Sequence, residues 1–476
     1  MTDAYHDEGP FSFGVHASTG RPLDAGPGCL DIKLMLETEK RAQDAIGGPV
    51  PELDCYNVPF GFDPDNLADV GWGIIFAAGV DAAPYLEAMK ELVDLRREQA
   101  GSKFRIFSNG CGYHVGESAS HWLNNNGSSL NIIDPDDGVP YYLAIVGPPS
   151  EIPFEFQYSL DIVAAVGRLD FPSLDELTAY AHSVVCFENN PNHMTKRRIE
   201  LFATCHDFDR ATQLFTKQVA VPLANGTGIK GPLGAKYGFS VNSYVNELST
   251  KQALTHILSN GDCPPSILFT GTHGMAFGAD DIRHAENQGA LVCQDWPGYG
   301  AISPEHWFAA CDVPENANVH GLIHFFFACY GAGTPEFDNF QFQSQQTRIG
   351  PRAITARLPQ KLMARPGGGV LASLGHVDRA WASSFQTKRG VAQTQGFRDV
   401  LDRLMAGQRV GHATDQFNNQ WGVIGTELAG LLQDKAYGKS VRDADVIALQ
   451  IARDDCRNYV VLGDPAVKLR PEPVAL

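Results

Sequence analysis

"SILFTGTHGM" (residues 266–275) and "VHGLIHFFFACYGAG" (residues 319–333) fix the reading of this chain. Each is an apolar run bounded by small residues. Such a run reads as a buried strand whose last residues emerge at the carboxyl edge of an open α/β sheet, where these sheets place their chemistry. His273 and Cys329 then stand on two strand ends. A thiol is nucleophilic as its thiolate, and an imidazole within hydrogen-bond reach both lowers the thiol pKa and later protonates a leaving amine. Taken singly, a Cys after "HFFFA" reads as a small core residue and a His-Gly pair as a turn. Jointly the two segments say more. Small residues follow both side chains, and backbone N–H groups at Gly274 and Cys329 are placed to hold an oxyanion. The combination predicts a Cys-His dyad in a cysteine hydrolase, specifically a peptidase.

The composition agrees with an enzyme. The 476 residues are 43% apolar and 10% aromatic, enough for a large core and two or three structural units. A net charge of −18 argues against a nucleic-acid surface, which needs a basic stripe. No window reaches the eighteen apolar residues of a membrane span, and "MTDAYHDEGPF" lacks the basic start and apolar core of a secretory leader. The expected location is the cytoplasm, with a peptide or protein substrate, neither nucleic acid nor membrane as partner, and room for a regulatory protein. Ten cysteines without a CxxC give no zinc or disulfide framework, and Cys111 with His114 lacks a partner pair. No metal or cofactor is expected.

Residues 1–50 are Gly- and Pro-rich and read as an irregular arm or pro-segment. Residues 51–190 follow a βα pattern, with strands at "WGIIFAAG", "KFRIFSNG", "YYLAIVGPP" and "DIVAAVGRL". An amphipathic helix covers "APYLEAMKELVDLRREQAG", and a second is capped by Ser173. The polar, basic stretch 189–198 reads as a boundary loop. Residues 196–476 repeat the plan with strands at "RIELFATC", "SILFTG", "VHGLIHFFFAC", "GGGVLASLG" and "NYVVLGD". The fold class is α/β, two tandem αβα sandwich units with mostly parallel sheets.

The ordered "THG … ACYG" pair resembles the caspase-like fold. "DIVAAVGRLDFPSLDELTAYAHSVVCFE" (161–188), "PGGGVLASLGHVDRAW" (366–381) and "YVVLGDPAVKLR" (459–470) resemble its gingipain-type branch of cysteine peptidases. The resemblance implies a first, non-catalytic subdomain and a catalytic second one carrying the dyad. It also implies two acids near "ATCHDFD" (203–209), one orienting the imidazole and one receiving a substrate Arg or Lys. Asp207 is then the expected orienter and Asp209 the expected specificity acid, although Asp209 before "RATQ" also fits a helix N-cap. Cleavage after Arg or Lys would make "TKRR" (195–198) a self-cleavage point.

Two departures from the family pattern stand out. The interval from His273 to Cys329, 56 residues, is long and reads as a lid, an activation loop or a partner surface. Thr272 also precedes the His where a Gly is expected. A reading from another class is a catalytically silent caspase-like module that binds a partner through its first unit and this insertion.

Overall fold

The apolar runs become strands because each is short, rich in β-branched and aromatic residues, and closed by Gly, Pro or Asp. The computed structural model describes residues 12–23, 58–59, 61–130, 133–259, 261, 263–340, 346–387 and 390–473. Its central sheet contains β2 (Trp72–Ile75), β3 (Phe104–Phe107), β4 (Tyr142–Val146), β5 (Ala165–Leu169), β6 (Lys196–Ala203), β7 (Ser240–Val245), β8 (Pro265–Gly271), β12 (Ile323–Phe327), β15 (Ala372–His376) and β16 (Tyr459–Gly463). Their order is β3-β2-β4-β5-β16-β15-β12-β8-β6-β7. Strands β4, β5, β8, β12, β15 and β16 are buried along their whole length, as two-sided helical cover requires.

The two sheets expected in tandem are joined edge to edge into one. Every neighbouring pair is parallel except β15 with β16, so β16 runs with the strands of the first unit and against the other strands of its own. The seam between the two units is the parallel pair β5 and β16, where Val461 pairs with Gly167 and Leu462 with Arg168. Gly167 is needed there, since a Cβ would stand 2.3 Å from the carbonyl oxygen of Gly463. Beside the seam Asp464, wholly buried, accepts from Arg96 Nε at 2.7 Å and from Trp72 Nε1 at 2.9 Å. Arg96 also forks onto Glu188. This buried network ties helices of the first half to the last strand of the chain.

Ser173 caps the helix Leu174–Asn189 by accepting from Glu176 N at 3.2 Å. The helix expected over "APYLEAMKELVDLRREQAG" breaks at Met89 into Ala83–Ala88 and Lys90–Ala100. Only the first part of the polar, basic stretch is an exposed turn, at residues 190–192. Thr195 is buried, and Lys196–Arg198 open β6, which is paired on both sides by β7 and β8. A protease needs an extended, unpaired segment, so "TKRR" is a poor cleavage point.

The long interval after His273 is structured. It builds a second sheet from β9 (Gly274–Ala276), β10 (Leu291–Val292) and β11 (Trp307–Phe308), with its own small core around Met275, Trp296 and Trp307. The fourth strand, β1 (Gly14–His16), comes from the N-terminal arm and lies parallel to β9. An antiparallel pair of β13 (Gly333–Thr334) and β14 (Ile354–Thr355) follows the Cys329 loop. No helix among the described residues is long and apolar enough to cross a membrane.

Candidate active site

Strands β8 and β12 end in register at the Gly271–Phe327 pair, and His273 and Cys329 each lie two residues beyond it. The buried strands fix both side chains at one edge of the sheet. The Thr272 hydroxyl is tied to the carbonyl of Val292 and accepts from Thr204. His273 and Cys329 are both fully buried.

Asp209, not Asp207, stands at the imidazole. Its Oδ2 lies 2.5 Å from His273 Nε2, while Oδ1 accepts from Ala211 N at 3.1 Å at the start of the helix Arg210–Phe215. One carboxylate thus serves as helix cap and as His partner. Burial pushes its pKa up, but the charge and hydrogen bond of His273, with the Thr212 hydroxyl, outweigh that and hold it well below the usual carboxylate range. Asp207 is exposed on the turn before it, and its main-chain carbonyl accepts from the Gln213 amide at 2.7 Å. His206 is buried against Trp296, ring centroids 5.0 Å apart. Burial and the neighbouring His273 lower its pKa to about 4, which keeps it neutral. His273 Nδ1 has no hydrogen-bond partner among the described residues.

Gly274 and Cys329 bring their backbone nitrogens together. Both donate to one atom, the carbonyl oxygen of Phe13, at 2.9 and 3.0 Å. The Cys329 thiol lies under the same segment. A Cβ on Gly14 would stand 2.8 Å from its Sγ. Ala380 brackets the thiol, its N–H donating to Sγ at 3.2 Å and its carbonyl accepting at 3.7 Å. Burial pushes the thiol pKa far above the ordinary value, and the Ala380 N–H offsets only part of this.

The loop carrying Ala380 is held by charges that residue-by-residue reading of the sequence missed. Arg379 pairs with Asp338, both buried, and its guanidinium lies 5.2 Å from the Phe340 ring centroid and 5.4 Å from that of Trp381. Asp378 accepts from Asn339 N at 3.0 Å, and its carbonyl accepts from Tyr330 N at 2.7 Å. The only sequence signal for this loop was the resemblance of "GHVDRAW". Phe13 gave no signal beyond a Gly after an aromatic residue.

The model of peptidase family C25 matches residues 134–470, most of the chain and all of the site except the arm. The chain belongs to peptidase family C25. It is therefore a cysteine peptidase of the gingipain family, with a caspase-like fold and a protein or peptide substrate. Among solved structures it is similar to one described as a protease, at 13% identity and TM-score 0.44, covering 86% of this chain and 81% of that one. A second is Saccharomyces cerevisiae separase in its complex with securin, at 10% identity and TM-score 0.34, covering 81% of this chain and 22% of that one. No curated protein sequence matches the chain. For a C25 peptidase the described geometry places a thiol, an imidazole, a carboxylate and two converging amides at one sheet edge.

Proposed function

We propose that this C25 peptidase cuts peptide bonds through Cys329 and His273, with Asp209 as the positioning acid. The observation that supports this most is the convergence of Gly274 N and Cys329 N on one carbonyl oxygen. Two donors at hydrogen-bond distance from a single oxygen, beside a thiol, are what a tetrahedral intermediate needs.

In this reading His273 Nδ1, which has no partner among the described residues while Asp209 holds Nε2, takes the thiol proton. The thiolate attacks the carbonyl carbon, and the oxygen gains its charge between the two amides. The C–N bond then breaks, Nδ1 gives its proton to the departing amine, and water hydrolyses the thioester to release the acid and the thiol. Asp209 fixes the tautomer and balances the imidazolium. No step calls for a metal or cofactor.

Cleavage after Arg or Lys needs a free carboxylate in the pocket. Asp209 is engaged by His273, Thr212 and the helix amides, which leaves it poorly suited to a substrate cation, and Asp207 is exposed. The test of the dyad is turnover of a peptide library by purified Cys329→Ala and His273→Ala. Both should lose roughly a hundred- to ten-thousand-fold or more. Wild-type rates in Cys329→Ala would remove Cys329 from the mechanism, whereas no turnover by the wild-type chain itself would return it to the reading of a silent module.

A further inference from the structure

The arm occupies the site in the manner of a substrate. Phe13 presents its carbonyl oxygen to Gly274 N and Cys329 N, its own amide donates to Ala380 O at 2.8 Å, and Ser12 bridges Trp381 in antiparallel fashion. Beyond Phe13 the chain continues as β1 along β9, where Ala17 N donates to Ala276 O at 3.1 Å and Ile302 N to Ala17 O at 3.2 Å. The turn is anchored at Gly20, where a Cβ would stand 2.1 Å from the carbonyl oxygen of Gly300. The chain thus runs past the thiol extended, with the Phe13–Gly14 bond at Cys329 and main-chain hydrogen bonds on both sides. Extended pairing of this kind is how sheet edges bind peptides in general.

The Phe13 side chain shows what the pocket takes. It is fully buried among Phe327, Phe215 and Phe385, ring centroids 4.7, 5.7 and 5.8 Å away, with the His273 ring at 6.0 Å. Three aromatic rings set edge-to-face around it suit a large flat apolar side chain. Ring faces alone compensate a guanidinium or ammonium for its lost water less well than a carboxylate would.

We propose that Phe13 fills the pocket for the residue before the scissile bond, so that this peptidase prefers aromatic residues there and is held closed by its own arm until that arm is displaced. The inference rests on the dyad reading and adds the substrate class and the block.

The test alkylates the full chain with two peptidyl chloromethyl ketones that differ only in carrying Phe or Arg beside the reactive carbon, with adducts at Cys329 counted by mass spectrometry. In Phe13→Ala the Phe probe should react about tenfold or more faster than the Arg probe, and about tenfold or more faster than it does with wild type. Phe13→Leu, which keeps an apolar body in the pocket and guards against misfolding, should fall between. Equal rates in wild type and Phe13→Ala overturn the block, and a faster Arg probe overturns the aromatic pocket while leaving the dyad standing. If neither probe reacts and iodoacetamide labels Cys329 in Phe13→Ala no faster than the other cysteines, the dyad reading fails and this inference with it.

Discussion

A Cβ on Gly274 would stand 1.8 Å from the carbonyl oxygen of Cys329 and 3.1 Å from its nitrogen, so the two residues touch backbone to backbone. That contact is what aims both amides at one point. A methyl group cannot enter without moving the main chain that carries the thiol.

Gly274→Ala should therefore act on catalysis more than on folding. Loss of one oxyanion donor is worth about a hundred- to a thousandfold in kcat. Steady-state kinetics on a peptide substrate together with a thermal melt check this, and near-normal kcat would remove Gly274 from the oxyanion site.

Asp209 has two duties that substitution can separate. Asp209→Asn keeps an oxygen for the helix amides but loses the negative charge on the imidazole, so kcat should drop roughly a hundred- to ten-thousand-fold with little loss of stability. Asp209→Ala should lose a further ~1 kcal/mol through the missing cap. Urea unfolding alongside kcat measures both, and equal unfolding midpoints for Asn and Ala would deny the cap.

His206 predicts an acid limit. Its pKa is lowered to about 4 by burial, against about 6.5 unfolded, so the unfolded chain binds the extra proton in between. Stability is then intact above pH ~6.5 and falls as pH drops toward 4, by at most about 1.4 kcal/mol per pH unit from this group. His206→Leu should flatten that slope in unfolding titrations, and an unchanged slope would assign it elsewhere.

Asp464→Ala should weaken the seam between the half-sheets. It leaves Arg96 short of a partner and Trp72 Nε1 without an acceptor, and breaking a buried pair costs about 3–5 kcal/mol. Denaturant unfolding would register this as a lower midpoint, whereas a change under ~1 kcal/mol would mean the network is not structural.

The strands on either side of the seam and the placement of His273 and Cys329 on neighbouring ends were legible, because continuous apolar runs ending in Gly leave little choice of element. The choice between Asp207 and Asp209 was not. It turns on Asp209 lying in extended backbone, φ −123° and ψ 105°, just before a helix, which brings its carboxylate back to the sheet edge. Lys196–Arg198 misled because charge reads as solvent, although a strand's first residues can carry their charges outward, as Lys196 does. The sheet of the insertion is built from strands of two or three residues, too short for any period to appear. The meeting of Phe13 with Gly274 and Cys329 joins positions far apart in sequence, and no local pattern encodes it.

The seam between β5 and β16 sets a schedule for synthesis. β5 has its inner edge covered only by β16, which the ribosome adds some 290 residues later. At about 5–20 residues per second that edge waits on the order of 15–60 s as an open pairing template. A nascent chain interrupted before Tyr459 would carry two unmatched half-sheets, each with a bare strand offered to its neighbours.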